Sequence, residues 1–171
     1  MLDPYRCQVC SETYLGQEIP DRCPFCGASF RHLVPAAEWI DYGKVEMSEQ
    51  SYKDCKEAIN LEINNSAFYK CAAGRAETQI TQSIFKRLSK QEMEHAELLC
   101  KMIGEDEPDL PEVQCSESDS ENMMDAHKRE SRAIKFYQEA ANRAPEPRVQ
   151  EIFRALSEIE SEHLKISSVY R

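Results

Sequence analysis

Small and apolar residues in the C-terminal three quarters of the chain recur every three or four positions, the period of a helix that buries one face. Ile59, Ser66, Tyr69 and Ala73 share one such stripe, and Met123, Ile134, Tyr137 and Ala141 share another. From Ser48 to Met102 there is no proline and one glycine, and Glu, Lys, Ala, Leu and Gln are frequent. Helices are therefore predicted near 49–77 and 79–103, with Thr78 as the cap between them. Gly104 ends the second, and Pro108 and Pro111 stop it from resuming. Ser118, with Glu121 three residues on, reads as a capping box for a third helix over 119–143. After the break at Ala144-Pro145-Glu146, Pro147 suits the first turn of a fourth helix, which runs to about 168.

Helices of roughly 22–29 residues are about 33–43 Å long. The short first and third connections fold them into two antiparallel hairpins. The acidic segment from Gly104 to Ser120 has 17 residues and reaches about 55 Å when extended. That is enough to return along a helix, as in the long crossover between helices 2 and 3 of a ferritin-like four-helix bundle.

The two hairpins repeat one another. Glu62 to Ala73 and Glu130 to Ala141 both read E-x6-Y, with Phe before the Tyr and Ala-Ala after it. Ile84 to His95 and Ile152 to His163 both read I-F-x-x-L-S-x-x-E-x-E-H. The offset is 68 residues in each case. Each hairpin thus offers one glutamate from its first helix and an E-x-x-H pair from its second. Glu and His three apart lie on one helix face and can reach one ion. Glu62, Glu92, His95, Glu130, Glu160 and His163 are the four-carboxylate, two-imidazole set that binds two iron or manganese ions inside a bundle. Carboxylates on an apolar stripe are costly to bury unless paired or metal-bound. Tyr69 and Tyr137, two turns beyond Glu62 and Glu130, read as hydroxyl donors that orient ligand carboxylates. His127, one turn before Glu130, lies within reach of the site. Glu94 and Glu162 also repeat, but on the far side of their helices, where water is expected.

Residues 1–34 are different in kind: four of the eight cysteines, three prolines and two glycines. Cys7-x-x-Cys10 and Cys23-x-x-Cys26 are separated by twelve residues, a spacing that builds two knuckles round one tetrahedral ion. Four thiolates suit iron or zinc, and spacing does not choose between them. The expected organisation is a four-cysteine metal domain over 1–34, a connector over 35–47 and a di-metal bundle over 48–171. Cys55, Cys71, Cys100 and Cys115 have no ligand-like spacing and are expected to be reduced thiols, three of them packed as small apolar groups. The N-terminus MLDPYRCQVC lacks a basic stretch followed by an apolar run, so a cytoplasmic location is expected. With 31 acidic and 21 basic residues the net charge is −10, which argues against nucleic acid as a partner. No apolar run is long enough for a membrane span.

The sequence resembles the rubrerythrins over nearly its whole length. The resemblance rests on the C-x2-C-x12-C-P-x-C-G segment, with the shortened spacing of their rubredoxin-like domain, and on the E-x6-Y and E-x-x-H pairs in family order. It implies a four-thiolate iron at Cys7, Cys10, Cys23 and Cys26 and a di-iron site. Glu92 and Glu160 would bridge the irons, Glu62 and Glu130 would be terminal, and His95 and His163 would complete each iron. It implies a peroxidase that reduces hydrogen peroxide, and O2 as a further oxidant. Electrons would come from rubredoxin or an NAD(P)H-dependent reductase through the thiolate iron. Other functions open to this residue set are a ferroxidase, and a zinc-ribbon module on a helical scaffold. The order of domains is reversed, as in the reverse rubrerythrins. That implies a long path between the centres within one chain, and hence electron transfer across a homodimer. Ala133 stands where peroxidase-type members carry an additional glutamate, so a symmetric site is expected.

Overall fold

A computed structural model of the chain describes residues 1–171. Three short strands, β1 (Asp3–Cys7), β2 (Thr13–Gly16) and β3 (Leu33–Pro35), form an antiparallel sheet in the order β2-β1-β3. Tyr5 pairs with Tyr14 on one side of β1, and Cys7 pairs with Leu33 on the other. Four long helices follow: α1 (Glu49–Arg75), α2 (Gln79–Ile103), α3 (Asp119–Arg143) and α4 (Pro147–Tyr170). They form the expected ferritin-like bundle. α1 packs along α2, α3 packs along α4, and residues 104–118 make the crossover.

The helix ends follow local chemistry. The Thr78 hydroxyl accepts from the Thr81 amide and the Ser48 hydroxyl from the Ser51 amide, each at 3.1 Å, satisfying amides that the helix leaves unpaired. Gly104 closes α2 at φ +73°, a conformation that strains any residue with a Cβ. The expected capping box at α3 is half formed. Ser118 accepts from the Glu121 amide at 3.4 Å, but the Glu121 carboxylate accepts from the Ser116 hydroxyl instead of the Ser118 amide. The Ser118 amide donates to the Ser116 hydroxyl at 3.1 Å, so the crossover itself takes the second place in the box.

One apolar core runs without a break from Cys7, Val9 and Ala28 of the small domain to Leu98, Val149 and Ile159 of the bundle. A second cluster, around Phe68, Tyr69, Phe85 and Met123, fills the opposite end of the bundle. The connector is bound to both modules. The Trp39 indole donates to the Cys7 carbonyl at 3.2 Å, and the Val45 amide donates to the Met102 carbonyl at 2.8 Å.

The cysteines outside the N-terminal quartet depart from expectation. Cys71 on α1 and Cys115 in the crossover are joined as a disulfide. Only Cys55 and Cys100 are buried thiols, two rather than three. The pairing depends on where the crossover returns over α1, which cysteine spacing does not encode.

Candidate metal centres

Cys7, Cys10, Cys23 and Cys26 converge at one point, all buried, within the apolar core that the small domain shares with the bundle. The sulfurs of Cys7 and Cys26 are 3.8 Å apart, and those of Cys10 and Cys23 are 3.7 Å apart. A tetrahedron with metal–sulfur bonds of ~2.3 Å has edges of about 3.8 Å, so the quartet fits one tetrahedral ion. So close together, the thiols compete for protons. Hydrogen bonds from Cys10 and Cys26 hold Cys23 far below the usual thiol range, while its bond to Cys23 drives Cys10 up.

The second cluster is the repeated set. Glu62, Glu92, His95 and Glu160 form one compact group, and Glu92, Glu130, Glu160 and His163 form another. Glu92 and Glu160 belong to both. All six side chains are buried. His95 Nδ1 lies 3.1 Å from Glu92, 3.4 Å from Glu160 and 3.5 Å from Glu62. His163 Nδ1 lies 3.1 Å from Glu160, 3.2 Å from Glu92 and 3.9 Å from Glu130. Four carboxylate oxygens, one each on Glu62, Glu92, Glu130 and Glu160, are buried without a hydrogen-bond partner. Such orphaned oxygens are costly in a dry interior, and four carboxylates balance the charge of two divalent cations. The residues present therefore fit a dinuclear centre.

The protein's own charges show the same tension. Burial, and then the neighbouring Glu160 and Glu92, push Glu62 and Glu130 well above the usual carboxylate range. Burial works against a charged ring at both histidines, but the facing carboxylates outweigh it, and His163 is raised to about 10.

The surroundings fix the geometry. The Tyr69 hydroxyl donates to Glu130, and the Tyr137 hydroxyl donates to Glu62. Each tyrosine therefore serves the glutamate of the other hairpin. His163 Nε2 donates to the Gln91 side-chain oxygen at 2.7 Å, and His95 Nε2 donates to the backbone carbonyl of Cys26 at 2.8 Å. A carbonyl only accepts, so His95 Nε2 carries a proton, and the ring turns Nδ1 toward the carboxylates.

That last bond corrects one expectation. The two clusters are adjacent within a single chain, so a long intramolecular path does not follow from the reversed domain order. Neither Gln91 nor the Cys26 carbonyl is apparent from the motifs. A backbone group has no sequence signature, although the replacement of Gln91 by Ile159 in the second repeat was readable. Other residues stand apart. His127 bonds to Ser167 at 3.2 Å and is outside both groups. Glu162 is partly exposed and pairs with Lys165 and Arg22. Glu94 is half-buried rather than solvated, and burial together with Glu97 and Glu12 pushes it up to about 7.

Comparisons with known proteins agree with this architecture. Residues 5–32 match the family described as "Rubrerythrin, rubredoxin-like domain". Residues 55–120 and 121–168 match the family described as "Rubrerythrin". A relative from Clostridium acetobutylicum, named Reverse rubrerythrin-1, is 26% identical over 112 residues, which cover 59% of this chain and 62% of the relative. The chain thus spans less than two thirds of that relative's length. No solved structure matches. No helix is long and apolar enough to cross a membrane. With the rubredoxin-like segment placed before the bundle and both matched in turn, the chain belongs to the rubrerythrin family.

Proposed function

We propose that the chain is an oxidoreductase that reduces hydrogen peroxide, with O2 as a further oxidant, at a di-iron site fed through a four-thiolate iron. The observation that carries this reading is the His95–Cys26 hydrogen bond, which joins the two metal-fitting clusters inside one chain. Cys7, Cys10, Cys23 and Cys26 would hold the single iron. Glu62, His95, Glu130 and His163 would hold the pair from outside, and Glu92 and Glu160, common to both groups, would lie between them. Bound iron supplies one-electron redox chemistry at each site, and two neighbouring one-electron centres match the two electrons that peroxide takes up on going to water.

The protein's own residues do the rest. Tyr69 and Tyr137 keep Glu130 and Glu62 turned inward while the charge of the site changes. Gln91 and the Cys26 carbonyl hold both Nε2 protons, so each imidazole presents Nδ1. Burial of all six side chains keeps bulk water out and strengthens every electrostatic contact. The electron donor would be rubredoxin or an NAD(P)H-linked reductase. With the clusters joined in one chain, transfer across a homodimer is not required.

The test is to reduce the iron-loaded protein anaerobically and add one equivalent of peroxide. The thiolate-iron colour should return within seconds, and Glu160→Ala should slow that return about 100-fold or more, because it removes a residue common to both groups. A reduced spectrum unchanged by peroxide would overturn the proposal. Multiple turnovers of added ferrous ion that survive loss of the cysteines would identify a ferroxidase instead.

A further inference from the structure

Between α1 and α3 lies an open cleft of about 230 Å³, lined by Leu61, Asn64, Asn65, Arg129 and Arg132. These are nearly matched positions of the two repeats. Arg129 stands where the first hairpin has Leu61, Arg132 where it has Asn64, and Ala133 where it has Asn65. The repeat symmetry that governs the metal-fitting residues is broken here, and the break places two cations in a chain of net charge −10.

The donors in the cleft are partly unused. Asn65 is only 4% exposed. Its side-chain oxygen accepts from Arg129 at 3.4 Å, and because a guanidinium cannot accept, the amide must turn its NH2 the other way. That Nδ2 is buried with no partner, as is Nε of Arg129. Arg129 is held in place by Phe68, whose ring centre lies 4.2 Å below the guanidinium. Asp125 approaches Arg129 Nε at 3.4 Å without making a hydrogen bond. Arg132 pairs with no carboxylate; its Nε donates to the Lys128 carbonyl at 3.3 Å, leaving the rest of the guanidinium free.

A site with unspent donors, surplus positive charge and a pre-set guanidinium takes a small acceptor that carries negative charge. We propose that the α1–α3 cleft binds a small inorganic oxyanion, gripped by Arg129 and Asn65 and covered by Arg132. Leu61 and Arg129 immediately precede Glu62 and Glu130, so the cleft lies on the same turns of α1 and α3 that carry those two glutamates. The inference does not depend on which metals are loaded.

Nitrate, a planar oxyanion, is the probe. Calorimetric titration of the metal-loaded full chain in low-salt buffer should show one saturable site. Arg129→Leu and Asn65→Ala should each weaken it at least 10-fold. Arg75→Leu, which removes an exposed arginine outside the cleft, should leave it unchanged. Both cleft variants install the residue that the other repeat already carries, and Asn65→Ala leaves the Arg129–Phe68 stack intact, so at least one folded variant is expected. Absence of saturable binding to the unmodified chain would overturn the proposal. Equal weakening by Arg75→Leu, or none by either cleft variant, would do the same, leaving charge screening or an adventitious ion only.

Discussion

Behind His95 stands a backbone carbonyl of the small domain; behind His163 stands the side chain of Gln91, from the neighbouring helix. The two hairpins carry the same Glu, Tyr and Glu-x-x-His residues 68 positions apart, yet they support their histidines differently. Where α2 has Gln91, α4 has Ile159. Gly27, at φ +84°, rests against both, because a Cβ there would come within 3.3 Å of Ile159 and 3.5 Å of Gln91. The second hairpin gives up a polar side chain for an apolar seat, and the domain that sits on it supplies the missing acceptor. The helix ends differ in the same way. Arg143 grips the buried Asp54 with two bonds of 2.7 Å. In the other half the position matching that aspartate is Asn122, which bonds to the Ser116 backbone, and the counterpart Arg75 pairs with Glu117 at 3.9 Å instead. The lesson is that residues of a repeat that belong to the shared cluster stay alike under shared chemistry, while those beyond it, buried or not, diverge with what packs on them.

Three substitutions and one labelling experiment would break or sharpen this contrast. The largest effect is expected from the tie that only the first hairpin has, since Cys71 corresponds to Glu139 in the second. Cys71→Ser opens a link between residues 44 apart in sequence, which should cost about 3–4 kcal/mol. Thermal unfolding should fall by roughly 10 °C, and a reductant should have no further effect on the variant. Next, Gln91→Ile makes the first hairpin resemble the second and removes the acceptor behind His163. Metal titration of the apoprotein should show one of two ions weakened by about 10-fold or more. Equal weakening of both would mean that the halves are not independently supported.

Asp54→Asn copies Asn122 into the first hairpin and leaves Arg143 without its carboxylate. Because Arg143 is 40% exposed, the cost should be only about 1 kcal/mol, read as a shift in the denaturant midpoint. The smallest effect is at Cys55, which stands where the second hairpin has Met123 and is fully buried. Burial pushes its thiol up to about 12. Iodoacetamide at pH 8 should leave it unmodified in the folded chain, and mass spectrometry after unfolding should then find it free.

Much of this is legible in the sequence. Proline and glycine placement marks the four helices to within about two residues, because the start and stop signals at Thr78, Gly104, Ser118 and Pro147 are local chemistry. The convergence of Glu62, Glu92, His95, Glu130, Glu160 and His163 is also legible, since a doubled motif puts the same side chains on facing stripes. What escapes is whatever depends on the path of the chain in space. Cys71 and Cys115 meet only because the crossover returns over α1. Glu121 turns to Ser116 only because the crossover is held there. The contact between His95 and Cys26 involves a peptide group that every residue possesses. Arg129 and Asn65 look like ordinary helix polarity until the cleft between α1 and α3 is seen.

The docking of the four-cysteine domain has a consequence for how such a chain can be wired. Its contacts are a shared apolar core, the Cys26–His95 bond and a few polar ties such as Arg148 to the Gln8 carbonyl, and none requires the modules to be covalent neighbours. The connector acts as a leash, and a short leash holds its load at an effective concentration of order millimolar. An interface too weak to form between separate molecules is then closed most of the time. The attachment point can therefore move from one end of the bundle to the other, provided that the leash still reaches.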